Sequence, residues 1–184
     1  EGCGADCSSL PELMLADMAG IKGSHVIFTS NETPASEYQY AFEHGNIINL
    51  DDITHIDFLK KNLKQLPETI CFRYNPGMQK QGCNSIIGKP EEAKYGLTRE
   101  QIIEAYSICK KEGVKHFGLH TMVASNELNP DFFVDTAKLL FELCVEIKEK
   151  CGVRIEFVDL GGGLGIPYKP EQKAVDYDLI AKGI

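Results

Sequence analysis

The sequence predicts an α/β protein built as part of a closed (β/α)8 barrel, holding about six of the eight strand–helix units such a barrel needs. Three observations predict it. Apolar runs of strand length alternate with helix-period segments along all 184 residues. Those runs lack the strict in/out alternation of a sheet with one wet face, as expected of parallel strands buried on both sides. Polar residues stand at the end of every candidate strand, where an open doubly wound sheet would gather them at one switch point.

The candidate strands are Ala5–Ser8, Val26–Ser30, Ile47–Leu50, Thr69–Tyr74, His116–Val123 and Ile155–Leu160. Their ends carry, in order, Asp6 and Ser8, Asn31, Asp51, Arg73 and Asn75, His120 and Ser125, then Asp159 with a run of glycines. A helix between consecutive strands makes each pair a crossover unit around a parallel sheet. Ser9 is a candidate cap for the first helix. Thr33-Pro34 opens the second, with threonine as N-cap and proline at the first helical position, and Gly45 follows its end. Thr98 and Gln101 form a capping box, with Gly113 past the far end of that helix. Asn129-Pro130 opens the longest helix, on which Phe133, Ala137, Leu140, Cys144 and Ile147 recur on one face. One long connection, Pro76 to Leu97, is expected to be functional, because structureless loops of that length are uncommon inside compact domains.

Composition narrows the function classes. The chain is 43% hydrophobic and 25% charged with a net charge of −8, and it offers no basic stripe to meet phosphates of nucleic acid or a membrane surface. Neither partner is expected. Seven cysteines occur without a CxxC pair or zinc-finger spacing, so reduced thiols and no metal site are expected. No signal peptide and no apolar run of spanning length is present, which makes the cytoplasm the expected compartment. The chain opens on Glu1-Gly2-Cys3-Gly4 without methionine and closes at Ile184 in the first turns of an amphipathic helix. A domain excised from a longer chain, cut at both ends, is the expectation.

Four segments carry candidate chemistry. In Asp159-Leu160-Gly161-Gly162-Gly163-Leu164-Gly165-Ile166-Pro167-Tyr168, consecutive glycines after a buried strand can aim several N–H groups into one anion-binding concavity. A plain strand-to-helix turn explains a bare glycine triplet equally well. No Lys-Ser/Thr follows, which excludes a Walker loop, and the spacing is not GxGxxG. His120 and Ser125 could present an imidazole and a hydroxyl to one ligand, although a strand histidine is often a hydrogen-bonded core residue. Arg73 brings a guanidinium to the end of an apolar strand, for a ligand or for a buried ion pair. Asp6 sets a carboxylate at the first strand.

Taken in order, these segments resemble the pyridoxal-phosphate-dependent decarboxylases of the alanine-racemase fold type, and among them diaminopimelate decarboxylase. The segment Gly4–Leu13 is similar to the family's G-x-D-x-x-S-x-x-E-L, Asn49-Leu50-Asp51 to N-x-D, and Arg73–Gly77 to R-x-N-P-G. Lys94-Tyr95-Gly96 falls at K-F-G, Gly118-Leu119-His120 at G-L-H, and Asp159–Tyr168 at D-x-G-G-G-x-G-I-P-Y. The resemblance covers essentially the whole chain. It implies a pyridoxal 5'-phosphate cofactor whose phosphate Gly161, Gly162 and Gly163 hold. His120 and Ser125 would line its pocket, with Asp6 and Arg73 in the shell around its ring. The implied reaction of the complete enzyme, a homodimer, converts meso-diaminopimelate to L-lysine and carbon dioxide. The rival readings are a decarboxylase for ornithine, arginine or carboxynorspermidine, and a non-catalytic relative of the barrel. The family's Schiff-base lysine, the E-P-G-R strand and the C-terminal β-domain with its catalytic cysteine find no match in the chain. It is therefore expected to contain no catalytic residue and to be inactive alone. Many relatives stack a second histidine on the cofactor ring, and Met122 stands at that place.

Overall fold

In a computed structural model, which describes residues 2–77 and 95–184, six parallel strands form one sheet in the order β1-β2-β3-β4-β5-β6. They are β1 (Ala5–Cys7), β2 (Val26–Thr29), β3 (Ile47–Leu50), β4 (Thr69–Arg73), β5 (His116–His120) and β6 (Phe157–Asp159). Each strand lies beside its successor, so the order never reverses. A doubly wound sheet must reverse at its switch point, whereas an arc of a barrel does not. The arc also curls. A cavity of about 340 Å³ is lined by Ala5, Ile27 and Ile47 from the first three strands and by Phe157 and Asp159 from the sixth. The expected barrel geometry holds, as a half-barrel.

The helices are α1 (Leu10–Met18), α2 (Ala35–Glu43), α3 (His55–Leu63), α4 (Arg99–Lys111), α5 (Pro130–Cys151) and α6 (Tyr177–Gly183). Strand residues Phe28, Ile48, Leu50, Ile70, Phe72 and Leu119 are fully buried, in one cluster with Leu13, Ala41, Leu59, Ile102, Tyr106 and Leu140 of the helices. Alternate strand positions face the concave side, and these include the polar residues Asp6, Thr29, Asn49, Arg73, His120 and Asp159. Successive side chains of a strand point to opposite faces, so the apolar packing of one face fixes which residues reach the other.

Two local features hold this arrangement in place. Gly118 of β5 has no room for a side chain, because a Cβ there would lie 2.1 Å from the Phe157 ring on β6. Tyr106 of α4 is fully buried and donates its hydroxyl to the Gly118 carbonyl at 2.5 Å, tying helix to strand. Tyr106→Phe is expected to lower the unfolding free energy by about 1–2 kcal/mol, the cost of leaving a buried acceptor unpaired. Urea titration followed by circular dichroism measures it.

Several element ends differ from the sequence-based expectation. The capping box forms as expected, with Thr98 Oγ1 accepting from the Gln101 N–H and Gln101 Oε1 accepting from the Thr98 N–H. Asn129 caps α5 by accepting from the Asp131 N–H at 3.1 Å. Ser9, however, makes no side-chain cap bond. The first turn is closed instead by Glu12, whose carboxylate accepts from the Ser8 N–H and hydroxyl at 2.5 and 2.9 Å. Pro34 rather than Thr33 occupies the N-cap position of α2, and no side-chain cap bond forms there. The strand β5 stops at His120 instead of Val123, and β6 covers only Phe157–Asp159. Most of the long connection expected from Pro76 to Leu97 lies outside the described residues, as does Lys94. Its return is visible: Leu97 pairs with Tyr74, and the Gly96 N–H donates to the Asp51 carbonyl at 3.0 Å.

Candidate active site

The candidate residues gather at the C-terminal ends of the strands. The turn after β6 forms its floor. Gly161, Gly162 and Gly163 all have positive φ, at 77°, 72° and 80°, a region that only glycine enters without strain. Asp159 fastens its start by accepting the Gly161 N–H at 2.8 Å. The segment after β5 fastens its sides. A Cβ on Gly161 would lie 2.0 Å from the Thr121 carbonyl oxygen, and one on Gly163 would lie 2.3 Å from that of Ala124. The Glu127 N–H donates to the Gly163 carbonyl at 3.0 Å, and the Gly165 N–H to the Glu127 carbonyl at 2.8 Å. Ser125 lies inside this paired stretch. This packing is why β5 ends early: past His120 its backbone leaves the sheet to line the glycine turn.

The middle of the turn stays open. A Cβ on Gly162 would meet nothing within 4 Å. Among the described residues, the N–H groups of Gly162 and Gly163 have no hydrogen-bond acceptor. Unused donors around an open space, on a turn whose flanks are pinned, make a concavity suited to an anionic oxygen. The residues present thus fit a phosphate group.

On the concave face behind the turn runs a polar chain across the strands. Asp6 of β1 stands at one end of it, where Thr29 of β2 acts to lower the Asp6 pKa. Asn49 is fully buried, and its Nδ2 lies 3.1 Å from Thr29 Oγ1 and 2.8 Å from His120 Nδ1. His120 is only 2% exposed, so the imidazole is hydrogen-bonded within the core. Burial, reinforced by the Arg73 cation, holds its pKa well below the ordinary imidazole value against the pull of Asp159. Arg73 reaches the Met122 carbonyl at 3.4 Å and lies 5.7 Å from the centroid of the Tyr95 ring. Burial lowers its pKa, opposed by the nearby Asp51 and Tyr95.

Asp6 keeps a solvent-facing side chain, yet the surrounding wall crowds it enough to raise its pKa. Desolvation contributes most and the Asp159 carboxylate next, bringing it from 3.8 to about 6. A carboxyl whose pKa is higher folded than unfolded binds its proton more tightly in the folded state. Stability is therefore greatest below the unfolded pKa, declines as pH rises through about 6, and is flat above. Asp6→Asn, which cannot ionise, is expected to raise the Tm at pH 7.5 and to lose that advantage near pH 4. A pair of thermal melts at those two values checks it.

Sequence reasoning named the glycines, His120, Ser125, Asp6 and Arg73, and the structure brings all of these to one end of the sheet. It missed Thr29, matched Asn49 to a motif without giving it a role, and did not assign Asp159 its fastening role. The available signal was a polar residue inside an otherwise apolar strand, as in Ile47-Ile48-Asn49-Leu50.

A family model described as "Pyridoxal-dependent decarboxylase, pyridoxal binding domain" matches residues 1–184. The chain belongs to that family. The family's cofactor is pyridoxal phosphate. Among curated relatives, Protein TabA of Pseudomonas amygdali pv. tabaci is 33% identical over the whole chain and 43% of its own length. The diaminopimelate decarboxylase of Methanothermobacter thermautotrophicus is likewise 33% identical, over the whole chain and 43% of its length. A solved diaminopimelate decarboxylase from M. jannaschii, in co-complex with L-lysine, superposes with a TM-score of 0.86 at 25% identity. That match covers 99% of this chain and 43% of the other. The Helicobacter pylori enzyme, at 22% identity and a TM-score of 0.85 over 98% and 46% of the two chains, supports the fold. The chain thus spans less than half the length of these relatives.

Proposed function

We propose that this chain is the cofactor-phosphate-holding part of a decarboxylase that converts meso-diaminopimelate to L-lysine and carbon dioxide. The observation that carries the proposal is the glycine turn: pinned at Gly161 and Gly163, open at Gly162, with unused N–H donors. The backbone of Gly161–Gly163 and the Ser125 hydroxyl would hold the phosphate. Asp6, Arg73 and His120 would surround the ring. Bound pyridoxal phosphate supplies an electron sink for the charge left on the substrate when carbon dioxide departs. The chain's own residues orient and shield it. The turn positions the phosphate, Arg73 keeps a cation near the ring, and Asp6, with its pKa near 6, can hold or release a proton close to neutral pH. In this reading residues 1–184 are one barrel domain of a longer cytoplasmic protein that works as a homodimer, with a β-domain and the Schiff-base lysine supplied outside these residues.

The substrate reading is supported by the several diaminopimelate decarboxylases among the relatives. The L-glutamyl-[BtrI acyl-carrier protein] decarboxylase of Niallia circulans, 26% identical over the whole chain, supports the second reading, a decarboxylase of the same scaffold with a different substrate. Release of carbon dioxide by the full-length protein separates them, measured with meso-diaminopimelate, ornithine and arginine offered in parallel. The proposal expects release from meso-diaminopimelate with lysine as the product; release from another substrate alone would establish the second reading. Sedimentation of the same sample checks the dimer.

Met122 offers a smaller test. The strand β5 ends at His120, so strand alternation does not fix which side Met122 occupies; its side chain is half-buried beside the glycine turn. A thioether packed on the cofactor ring contributes about 0.3–1.5 kcal/mol. Met122→Ala is expected to weaken cofactor binding by that amount and to leave the pH optimum in place, as read by absorbance titration and a pH–rate profile.

A further inference from the structure

The buried chain from β2 to β5 has a direction, and the direction fixes a proton. The Thr29 hydroxyl can accept as well as donate, and its Oγ1 lies 3.1 Å from Asn49 Nδ2. The Asn49 amide turns that Nδ2 toward Thr29, and its second N–H falls on His120 Nδ1 at 2.8 Å. An amide in the opposite orientation would bury two N–H donors without acceptors. The orientation observed leaves only the Oδ1 of Asn49 buried without a partner among the described residues. One unpaired acceptor costs less than two unpaired donors.

We infer that Asn49 is a positioning residue that locks His120 as the neutral tautomer with its proton on Nε2, through a hydrogen-bond chain running Thr29–Asn49–His120. His120 Nδ1 is then an engaged acceptor, closed to protons from the site. The imidazole acts as a fixed donor through Nε2 and not as a general base. The charged groups bearing on it are Arg73 of β4 and Asp159 of β6, which oppose each other; from β3 it meets the neutral Asn49. A histidine clamped on one ring nitrogen has its tautomer set by that bond, and here the clamp is itself oriented by Thr29 and by the cost of burying two unpaired N–H groups in the reverse orientation. The assignment to a cofactor site rests on the proposed function, but the tautomer does not.

Long-range proton–nitrogen correlation spectra of the full-length protein, with histidine labelled at both ring nitrogens, read this directly. His120→Gln identifies the signal by its disappearance. At pH 7.5 the wild type is expected to show Nδ1 at the unprotonated position and Nε2 at the protonated one, with and without pyridoxal phosphate. Asn49→Asp puts an acceptor opposite Nδ1 and is expected to abolish that pattern, giving either the Nδ1–H tautomer or protons on both nitrogens. A wild-type His120 carrying its proton on Nδ1, or an imidazolium at pH 7.5, would overturn the inference. So would an unchanged pattern in folded Asn49→Asp. The wild-type spectrum decides alone if that variant does not fold. Because the cofactor-free protein gives the same readout, failure of the decarboxylase reading and failure of this one are separable.

Discussion

Replacing Gly161 by alanine is expected to collapse the glycine turn and to lower both stability and cofactor affinity more than any other single change in it. Two independent penalties coincide at this residue. Its φ of 77° places an alanine in the left-handed region, at a cost of about 1–2 kcal/mol. Its Cβ would also lie 2.0 Å from the Thr121 carbonyl oxygen and 2.9 Å from the Met122 Cα. Those are backbone atoms, fixed by the Thr121 N–H bond to the Asp159 carbonyl at 3.1 Å and by the Thr121 hydroxyl bond to the Tyr74 carbonyl at 2.8 Å. They cannot swing aside as the tip of a lysine would. Relief of the clash must come from moving the turn, and overpacking of this kind adds about 1–3 kcal/mol. The Gly161 N–H would then leave Asp159, freeing a carboxylate that already raises the pKa of Asp6. Thermal melts and absorbance titration with pyridoxal phosphate should fall together. A melting temperature equal to wild type would mean that the turn is not pinned as described.

The same contacts explain what the sequence could and could not reveal. Apolar runs such as Thr69–Arg73 identified the strands because burial on both faces dictates their composition whatever their neighbours are. The capping box at Thr98 and Gln101 was legible because its partners are three residues apart. The ends of β5 and β6 were not. Val123 has the composition of a strand residue, and only the approach of Gly161 and Gly163, some forty residues later, takes its segment out of the sheet. Ser9 looked like a cap, yet the side-chain bond that closes the turn runs from Ser8 to Glu12 and leaves the Ser9 hydroxyl out of the cap. The Asn49–His120 bond joins residues 71 apart and depends on the register of two intervening pairings. Local chemistry could mark Asn49 as odd; it could not name its partner.

Gly162→Val separates the two jobs of the turn, and its expected signature is the reverse of a structural lesion. The position shares the left-handed backbone of its neighbours, with a φ of 72°, so a β-branched residue is strained there by about 1–2 kcal/mol. It shares none of their crowding, because a Cβ would meet no atom within 4 Å. Stability should therefore fall less than in Gly161→Ala. The open space beside it is where the proposed phosphate sits, and the branched side chain would occupy it. Strain at φ would also turn the Gly162 and Gly163 N–H groups away from their common focus. Each hydrogen bond to a charged group contributes about 1.5–3 kcal/mol, and a factor of ten corresponds to about 1.4 kcal/mol. Losing even one such bond, together with the steric block, should weaken binding of pyridoxal phosphate at least about tenfold. Gly162→Ala, with a smaller obstruction and similar strain, should fall between the wild type and valine in affinity while matching valine in melting temperature. That divergence is the test, because a turn acting only as a connector would show affinity tracking stability. Full-length Gly162→Val that binds the cofactor as the wild type does would remove the phosphate from this turn altogether.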